Sequence, residues 1–209
     1  MYGVVVPVKP PAVAKSRLAA LGDPVRRDLC AAFAVDTVVA VAACPLVERV
    51  LVVTDDATLA AVLADLGVDV IPDGVGDDLN GSLALGAAEL HRRSPGLRLA
   101  AVFADLPALR PEELAEALHD AADDRMSFVA DAEGTGTTTV VAPTLELFRP
   151  SFGPDSRQAH LDAGAREILR ELPGLRHDVD TPEDLAVALE LGAGERTAFV
   201  ATVHAAALG

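Results

Sequence analysis

The 209-residue chain is 51 % hydrophobic, which gives it ample material for a sizeable buried core. Its formal net charge of −15 argues against a general nucleic-acid-binding protein, because phosphate backbones are held by broad basic surfaces. No stretch reaches the ~18 uninterrupted apolar residues that a membrane span needs. We therefore expect a cytoplasmic α/β protein with one domain over residues 1–209, and neither a membrane nor a nucleic-acid partner.

The first predicted loop contains both lysines of the chain. A strand is predicted over residues 2–8, and the loop after it carries Lys9, Lys15 and Arg17. All 15 remaining cationic residues, Arg17 among them, are arginines. Two lysines in one loop are therefore either a coincidence or the mark of a phosphate site. A phosphate site can use the compact ammonium group as a point charge, whereas arginine binds as a planar fork.

Alternating helices and strands are predicted between this loop and residue 91. They are a helix over residues 24–43 with residue 23 as its cap, a strand over 50–53, a helix over 57–66 that residues 54–56 can cap, a strand over 68–71 and a helix ending near 91. Asp23 before Pro24 is typical of an N-cap followed by the first helical residue. Asn80 and Ser82 stand at the start of the last of these helices, where they either cap it or contact a ligand.

A central strand is predicted over residues 99–104, which are apolar at six successive positions. Such a run is typical of a parallel strand covered by helices on both faces. It ends at Asp105, and Pro111 opens the next predicted helix. In open α/β sheets ligands bind outside the carboxyl ends of the strands, so Asp105 either faces a ligand or is a turn or capping residue.

Two loops in the last third of the chain are candidates for anion binding. Strands are predicted over residues 128–131 and 137–142, and the glycines and threonines between them form either an anion-binding nest or a hairpin turn. The second loop, residues 152–156, ends at Ser156. We expect Ser156 to cap a helix whose N-terminus would favour a phosphate or a carboxylate.

A final strand is predicted to end at Asp180, with Asp178 on the same face. Residues 181–184 have the pattern of an N-cap, a proline and an acidic capping-box residue, and they predict a helix to about residue 191. Asp180 would therefore repeat the placement of Asp105, at the carboxyl end of a strand.

Five blocks of sequence occur in the order typical of one known family. They are residues 8–9 with 14–18, residues 105–109, residues 127–131 with 134–137, residues 152–156 and residues 178–182. Through them the chain resembles the guanylyltransferases of coenzyme F420 biosynthesis, within the nucleotide-sugar-type nucleotidyltransferases. The resemblance implies a three-layer α/β/α sandwich with a mostly parallel, Rossmann-like sheet, as in nucleotide-diphospho-sugar transferases.

The resemblance also implies roles for single residues. Thr138, Gly153 and Ser156 would hold a phosphorylated three-carbon acid, and Asp105 and Asp180 would hold Mg²⁺. Lys9 and Lys15 would approach the phosphates of GTP, and together with Asp105 they form the predicted catalytic set. Arg17, Thr54 and Asn80 complete the predicted nucleotide-binding set.

The implied reaction is the transfer of GMP from GTP to the phosphate of the acid. A phosphate monoester carries a charge of about −1.5 to −2 at pH 7, so its oxygen can attack the α-phosphorus of GTP without a protein base. The acceptor stays open among phosphoenolpyruvate, 2-phospho-L-lactate and 3-phosphoglycerate. The arginine-rich, lysine-poor and alanine-rich composition is typical of high-GC actinobacterial proteins, and for such a source the resemblance favours phosphoenolpyruvate.

Two other functions remain as alternatives. An aspartate-based phosphohydrolase would need a nucleophilic aspartate after the first strand, and this chain has Lys9 there. A non-catalytic nucleotide-binding module would use the same loops as an enzyme, so the sequence does not separate these two functions.

Overall fold

The computed structural model describes residues 1–10, 15–76 and 78–205, in which seven strands form one sheet between layers of helices. The strands are β1 (Tyr2–Pro7), β2 (Val47–Val53), β3 (Asp69–Ile71), β4 (Arg98–Val102), β5 (Ser127–Ala130), β6 (Thr137–Ala142) and β7 (Arg166–Glu167). The helices are α1 (Asp23–Ala43), α2 (Ala57–Asp65), α3 (Leu79–Arg93), α4 (Pro111–Asp120), α5 (Ser156–Asp162), α6 (Pro173–Arg176), α7 (Pro182–Leu191) and α8 (Glu195–Val203). A 3-10 helix over Ser16–Leu21 precedes α1, and residues 11–14 of the predicted first loop lie outside the described residues.

The sheet has the strand order β3-β2-β1-β4-β6-β5-β7 and is mostly parallel, as predicted. β4 lies at its centre, where Ala100 pairs with Val4 of the parallel strand β1. On the other side the same residue pairs with Val141 of β6, which runs antiparallel to both of its neighbours. The apolar run of β4 correctly predicted burial on both faces, but it carried no information on the direction of β6.

Helices cover both faces of the sheet and complete the predicted three layers. One apolar cluster joins Val4 and Val6 of β1 to α1, α2 and α4, and a second joins Val5 to α3. At Gly86 of α3 a Cβ atom would lie 2.6 Å from Val5 Cγ1, so glycine is what allows α3 to pack closely on β1. In the described part of the chain no helix has the length and apolar character to cross a membrane.

Two helices begin as their capping residues predict. Asp56 accepts a hydrogen bond from the Leu59 N–H group (2.8 Å) at the start of α2. At the start of α7 the Thr181 hydroxyl accepts from the Asp184 N–H group, and the Asp184 carboxylate accepts from the Thr181 N–H group. This capping box fixes the first turn of α7 and the residue before it.

Two predicted N-caps instead lie one residue inside their helices. α1 begins at Asp23, with Gly22 as the N-cap at a φ of 88° that suits glycine. Proline is accepted at both of the first helical positions because neither N–H group is needed there, so Pro24 did not fix the start. α5 begins at Ser156, with Asp155 as the N-cap. The prediction that Ser156 caps α5 is therefore wrong.

The start of α3 is capped by Asp78, which was not among the predicted caps. Asp78 accepts a hydrogen bond from the Gly81 N–H group (3.0 Å). The Ser82 hydroxyl instead donates to the carboxylate of Asp73, and the Asn80 side chain contacts a distant loop. The capping interpretation of Asn80 and Ser82 is therefore wrong. The side chain of Asn80 does not cap its own helix, and Asp78 does.

The C-terminal helix α8 is attached to α1 through a buried carboxylate. Asp36 is 9 % exposed and accepts hydrogen bonds from the N–H groups of Arg196 (3.1 Å) and Thr197 (2.7 Å). These N–H groups belong to the first turn of α8, where backbone N–H groups have no carbonyl acceptor within the helix. Asp36 thus acts as an N-terminal cap supplied by another helix.

We expect Asp36→Ala to lower the free energy of unfolding by about 1–3 kcal/mol, because two buried N–H groups lose their acceptor. Urea denaturation measures the change. Asp65→Ala, at an exposed aspartate of α2, is the matched control and should change the free energy by less than about 0.5 kcal/mol. Equal unfolding free energies for both variants would show that Asp36 does not hold α8.

Candidate active site

A cavity of about 370 Å³ opens at the carboxyl ends of β1 and β4. Its wall brings together five of the predicted site residues, which are Lys9, Lys15, Arg17, Asp105 and Asp180. Three of them come from the segment between β1 and α1, one from the loop after β4 and one from the segment before α7. The cavity therefore lies at the edge of the sheet where ligands bind in open α/β folds.

Three aspartates form an acidic cluster at this cavity. Asp105, Asp178 and Asp180 each offer a carboxylate oxygen, and these oxygens lie within 4.8 Å of one another. The Val179 N–H group donates to the Asp105 carbonyl (3.0 Å), and Val179 is fully buried. Its two neighbours in the chain therefore point the other way, toward Asp105.

The segment that carries two of these acids is not a strand. Residues 177–180 have no regular secondary structure, so the predicted final strand ending at Asp180 is wrong. The four-residue helix α6 directly before it leaves too little length for a strand. The alternation of Asp178, Val179 and Asp180 still put both acids on one side. The predicted metal site held only Asp105 and Asp180, and this alternation was the signal that could have added Asp178 to it.

Lys15 neutralises part of the acidic cluster. Its ammonium group donates hydrogen bonds to Asp105 Oδ2 and Asp180 Oδ1, and Arg17 Nη1 lies 3.6 Å from Asp180 Oδ2. Burial lowers the pKa of Lys15, but the charges and hydrogen bonds of the two carboxylates outweigh it and hold the pKa above its usual value. The backbone of Lys15 has a φ of 54°, a left-handed conformation that is uncommon outside glycine.

The cluster holds more negative charge than Lys15 compensates. Burial and the charge of Asp105 raise the pKa of Asp178 to about 7. Asp105 Oδ1 is buried and has no hydrogen-bond partner among the described residues. Three carboxylates with an unpartnered oxygen match the preference of hard divalent cations such as Mg²⁺ for oxygen ligands, so these residues fit a divalent metal ion.

Cys30 also lines the cavity, although no motif in the sequence points to it. Burial raises the pKa of its thiol to about 11. A thiol protonated at neutral pH is a poor nucleophile, so Cys30 is not an activated cysteine.

The loop of residues 152–156 approaches the cavity through an aromatic contact. The ring of Phe152 lies 4.5 Å from the ring of Phe103, which lines the cavity. Gly153 follows with a φ of 143°, and its carbonyl accepts the N–H group of Ser156 (3.2 Å). Both Gly153 and Ser156 thus belong to a turn beside the cavity.

Three other predicted site residues have their polar groups engaged elsewhere in the protein. The Thr138 hydroxyl donates to the Leu175 carbonyl (2.6 Å), although the Thr138 carbonyl accepts from Phe103 of the cavity wall. The Thr54 hydroxyl accepts from the Asp56 N–H group (3.2 Å). The Asn80 amide contacts the backbone of Phe152. Among the described residues, the cavity wall includes none of these three predicted residues.

The glycine- and threonine-rich segment between β5 and β6 is a hairpin turn. The Asp131 carboxylate accepts hydrogen bonds from the N–H groups of Thr135 (3.0 Å) and Gly136 (2.7 Å). The Gly134 N–H group donates to the Asp131 carbonyl. The alternative of an anion-binding nest is therefore wrong, because a carboxylate of the chain already takes the N–H groups that would bind an anion.

The sequence pattern of the family described as "Guanylyl transferase CofC like" matches residues 2–200. The chain belongs to this family. A Thermomonospora curvata relative named phosphoenolpyruvate guanylyltransferase is 50 % identical over 96 % of this chain and 88 % of its own length. A Streptomyces coelicolor relative of the same name is 51 % identical over 96 % of this chain and 95 % of its own length.

The CofC-like chain also shares its fold with solved structures. A Desulfovibrio desulfuricans protein named as a nucleotide-diphospho-sugar transferase superposes with a TM-score of 0.74 at 16 % identity, over 100 % of this chain and 97 % of that chain. At this identity the likeness concerns the fold alone, and it agrees with the predicted architecture.

Proposed function

We propose that this protein transfers GMP from GTP to the phosphate of phosphoenolpyruvate, in the cytoplasm, as a step of coenzyme F420 biosynthesis. The products are enolpyruvoyl-diphospho-5'-guanosine and pyrophosphate. The observation that carries the proposal is the cavity in which Lys15 bonds to Asp105 and Asp180, with Asp178 beside them, in a CofC-like chain about half identical to relatives named for this activity.

The reaction needs no general base from the protein. The phosphate of phosphoenolpyruvate is already an anion, and one of its oxygens forms a bond to the α-phosphorus of GTP. The bond between the α-phosphorus and the bridging oxygen breaks, and pyrophosphate leaves with that electron pair. The site accordingly offers a protonated lysine and aspartates, and the buried thiol of Cys30 takes no part.

The main task of the chain is to bring two anions together. Lys9 and Arg17 are exposed at the cavity and carry positive charge toward entering phosphates, and Lys15 adds a third charge deeper in the wall. Fixed charges at the point where negative charge develops lower the barrier, because they need no rearrangement during the reaction. Asp105, Asp178 and Asp180 would hold Mg²⁺, which when bound neutralises charge on the phosphate oxygens.

We assign the acceptor to Thr138, Gly153 and Ser156, which follows the family resemblance. The contact between Phe152 and Phe103 places this loop next to the cavity wall and supports the assignment. Thr54 stays in the proposed nucleotide-binding set, although its hydroxyl accepts from the Asp56 N–H group. Asn80 is left out of that set, because its amide contacts the backbone of Phe152.

Pyrophosphate release from purified protein tests this proposal. With Mg²⁺ present, GTP or ATP is combined with phosphoenolpyruvate, 2-phospho-L-lactate, 3-phosphoglycerate or no acid. We expect release with GTP and phosphoenolpyruvate together, and much less with ATP or without an acid. Release without an acid would point to a hydrolase, and nucleotide binding without release under any condition would point to a binding module.

A further inference from the structure

We infer that Asn80 is a positioning residue for the acceptor: its side-chain amide fixes the 152–156 loop and thereby sets the affinity for phosphoenolpyruvate, not for GTP. This inference rests on the proposed function, since it assigns a role within the same site. It differs from the nucleotide-binding role that the sequence suggested for Asn80.

The contact between Asn80 and Phe152 satisfies both backbone polar groups of one residue. Asn80 Nδ2 donates to the Phe152 carbonyl (3.0 Å), and the Phe152 N–H group donates to Asn80 Oδ1 (2.9 Å). Phe152 is only 7 % exposed, so water cannot easily replace either bond. A buried backbone group that loses its partner costs free energy, and the loop would move to avoid that cost.

The paired hydrogen bonds act at the point where the loop enters the site. Directly before Phe152, the Ser151 N–H group donates to His160 Nε2 (3.0 Å), which ties the loop to α5. Directly after Phe152 comes Gly153, whose φ of 143° lies in a region that residues other than glycine rarely adopt. Asn80 therefore holds the residue directly before the part of the loop that is assigned to the acceptor.

The side-chain hydrogen bonds of Asn80 go to the 152–156 loop and not to the start of its own helix. The cap of α3 is Asp78, and Ser82 is bonded to Asp73, so the helix start does not depend on Asn80. Asn80 links α3 to a loop 72 positions later in the chain. The cationic residues that line the cavity lie between β1 and α1, and neither side-chain hydrogen bond of Asn80 involves them.

Amide-to-acid exchange offers a test with a close control. Asn80 is the single asparagine of the chain and Gln158 the single glutamine, and Gln158 is exposed on α5, beyond the same loop. Asn80→Asp keeps an acceptor for the Phe152 N–H group but removes the donor to its carbonyl. Asn80→Ala removes both, and Gln158→Glu adds the same charge outside the loop. Steady-state KM values are measured for phosphoenolpyruvate and for GTP, together with the rise in Tm caused by phosphoenolpyruvate alone.

We expect Asn80→Asp to raise the KM for phosphoenolpyruvate about tenfold, Asn80→Ala to raise it at least as much, and the KM for GTP to stay within about twofold. The phosphoenolpyruvate-induced rise in Tm should shrink in both variants and persist in Gln158→Glu. A selective rise in the KM for GTP, or unchanged constants for both substrates, would overturn the inference. Wild-type turnover reports separately on the proposed function, and the Tm shift reads the acceptor contact without any turnover.

Discussion

Asp105→Asn and Asp180→Asn should each lower turnover by about a hundred- to a thousandfold, the usual effect of removing one preorganised charged group from an active site. Asparagine keeps the shape of the side chain but removes the charge that attracts a cation. The two carboxylates already share one cation, because the Lys15 ammonium group bridges them. The double variant should therefore be little slower than either single variant, since residues that act as a unit are strongly non-additive.

Pyrophosphate release at saturating GTP and phosphoenolpyruvate measures these rates, and circular dichroism checks the fold. Asp65→Asn, at an exposed aspartate of α2, is the control and should turn over like the wild-type protein. If the losses of the two single variants multiply in the double variant, the acids act independently. If either variant retains near-normal activity at low Mg²⁺, that aspartate serves only as a structural residue.

Lys15→Gln should have two opposite effects, a large loss of turnover and a gain in metal affinity. Lys15 occupies carboxylate oxygens of the acidic cluster that fit a divalent cation, so a cation must compete with the ammonium group for them. Without the ammonium group, we expect the nucleotide-free protein to bind Mn²⁺ about tenfold more tightly, which corresponds to about 1.4 kcal/mol. Turnover should fall at least about a hundredfold, because a fixed charge beside the phosphates is lost.

Electron paramagnetic resonance of free Mn²⁺ measures the affinity without any reaction. Lys9→Gln is the matched control, because Lys9 lines the same cavity but is exposed at its surface. This variant should bind Mn²⁺ like the wild-type protein while its KM for GTP rises. Equal Mn²⁺ affinity in wild-type protein and Lys15→Gln would show that the lysine and the metal do not compete.

The sequence predicted the parts of the fold that depend on neighbouring residues. The apolar run of β4 and the capping box of α7 were both recognised, because burial pattern and capping chemistry act over a few positions. The start of α1 was missed by one residue, because Pro24 fits either of the first helical positions. The irregular segment 177–180 was missed because its alternating pattern is shared by strands and by extended loops.

Local sequence patterns predicted only some of the contacts between distant segments. The meeting of Asp105 and Asp180 could be predicted, because both were assigned to the same edge of the sheet. The bridge from Lys15 to both acids could not, since it depends on how the first loop folds back over the cavity. In the same way, nothing near Asn80 in the sequence indicates that its partner is Phe152.

Mass spectrometry of the nucleotide product tests the proposed reaction most directly. Purified protein is incubated with Mg²⁺, GTP and phosphoenolpyruvate, and the nucleotides are separated and weighed. We expect one new nucleotide whose mass equals that of GMP and phosphoenolpyruvate joined with loss of water, in equal amount with pyrophosphate. This nucleotide should be absent with Asp105→Asn. Formation of GDP and phosphate, or of GMP without a joined acid, would contradict guanylyl transfer.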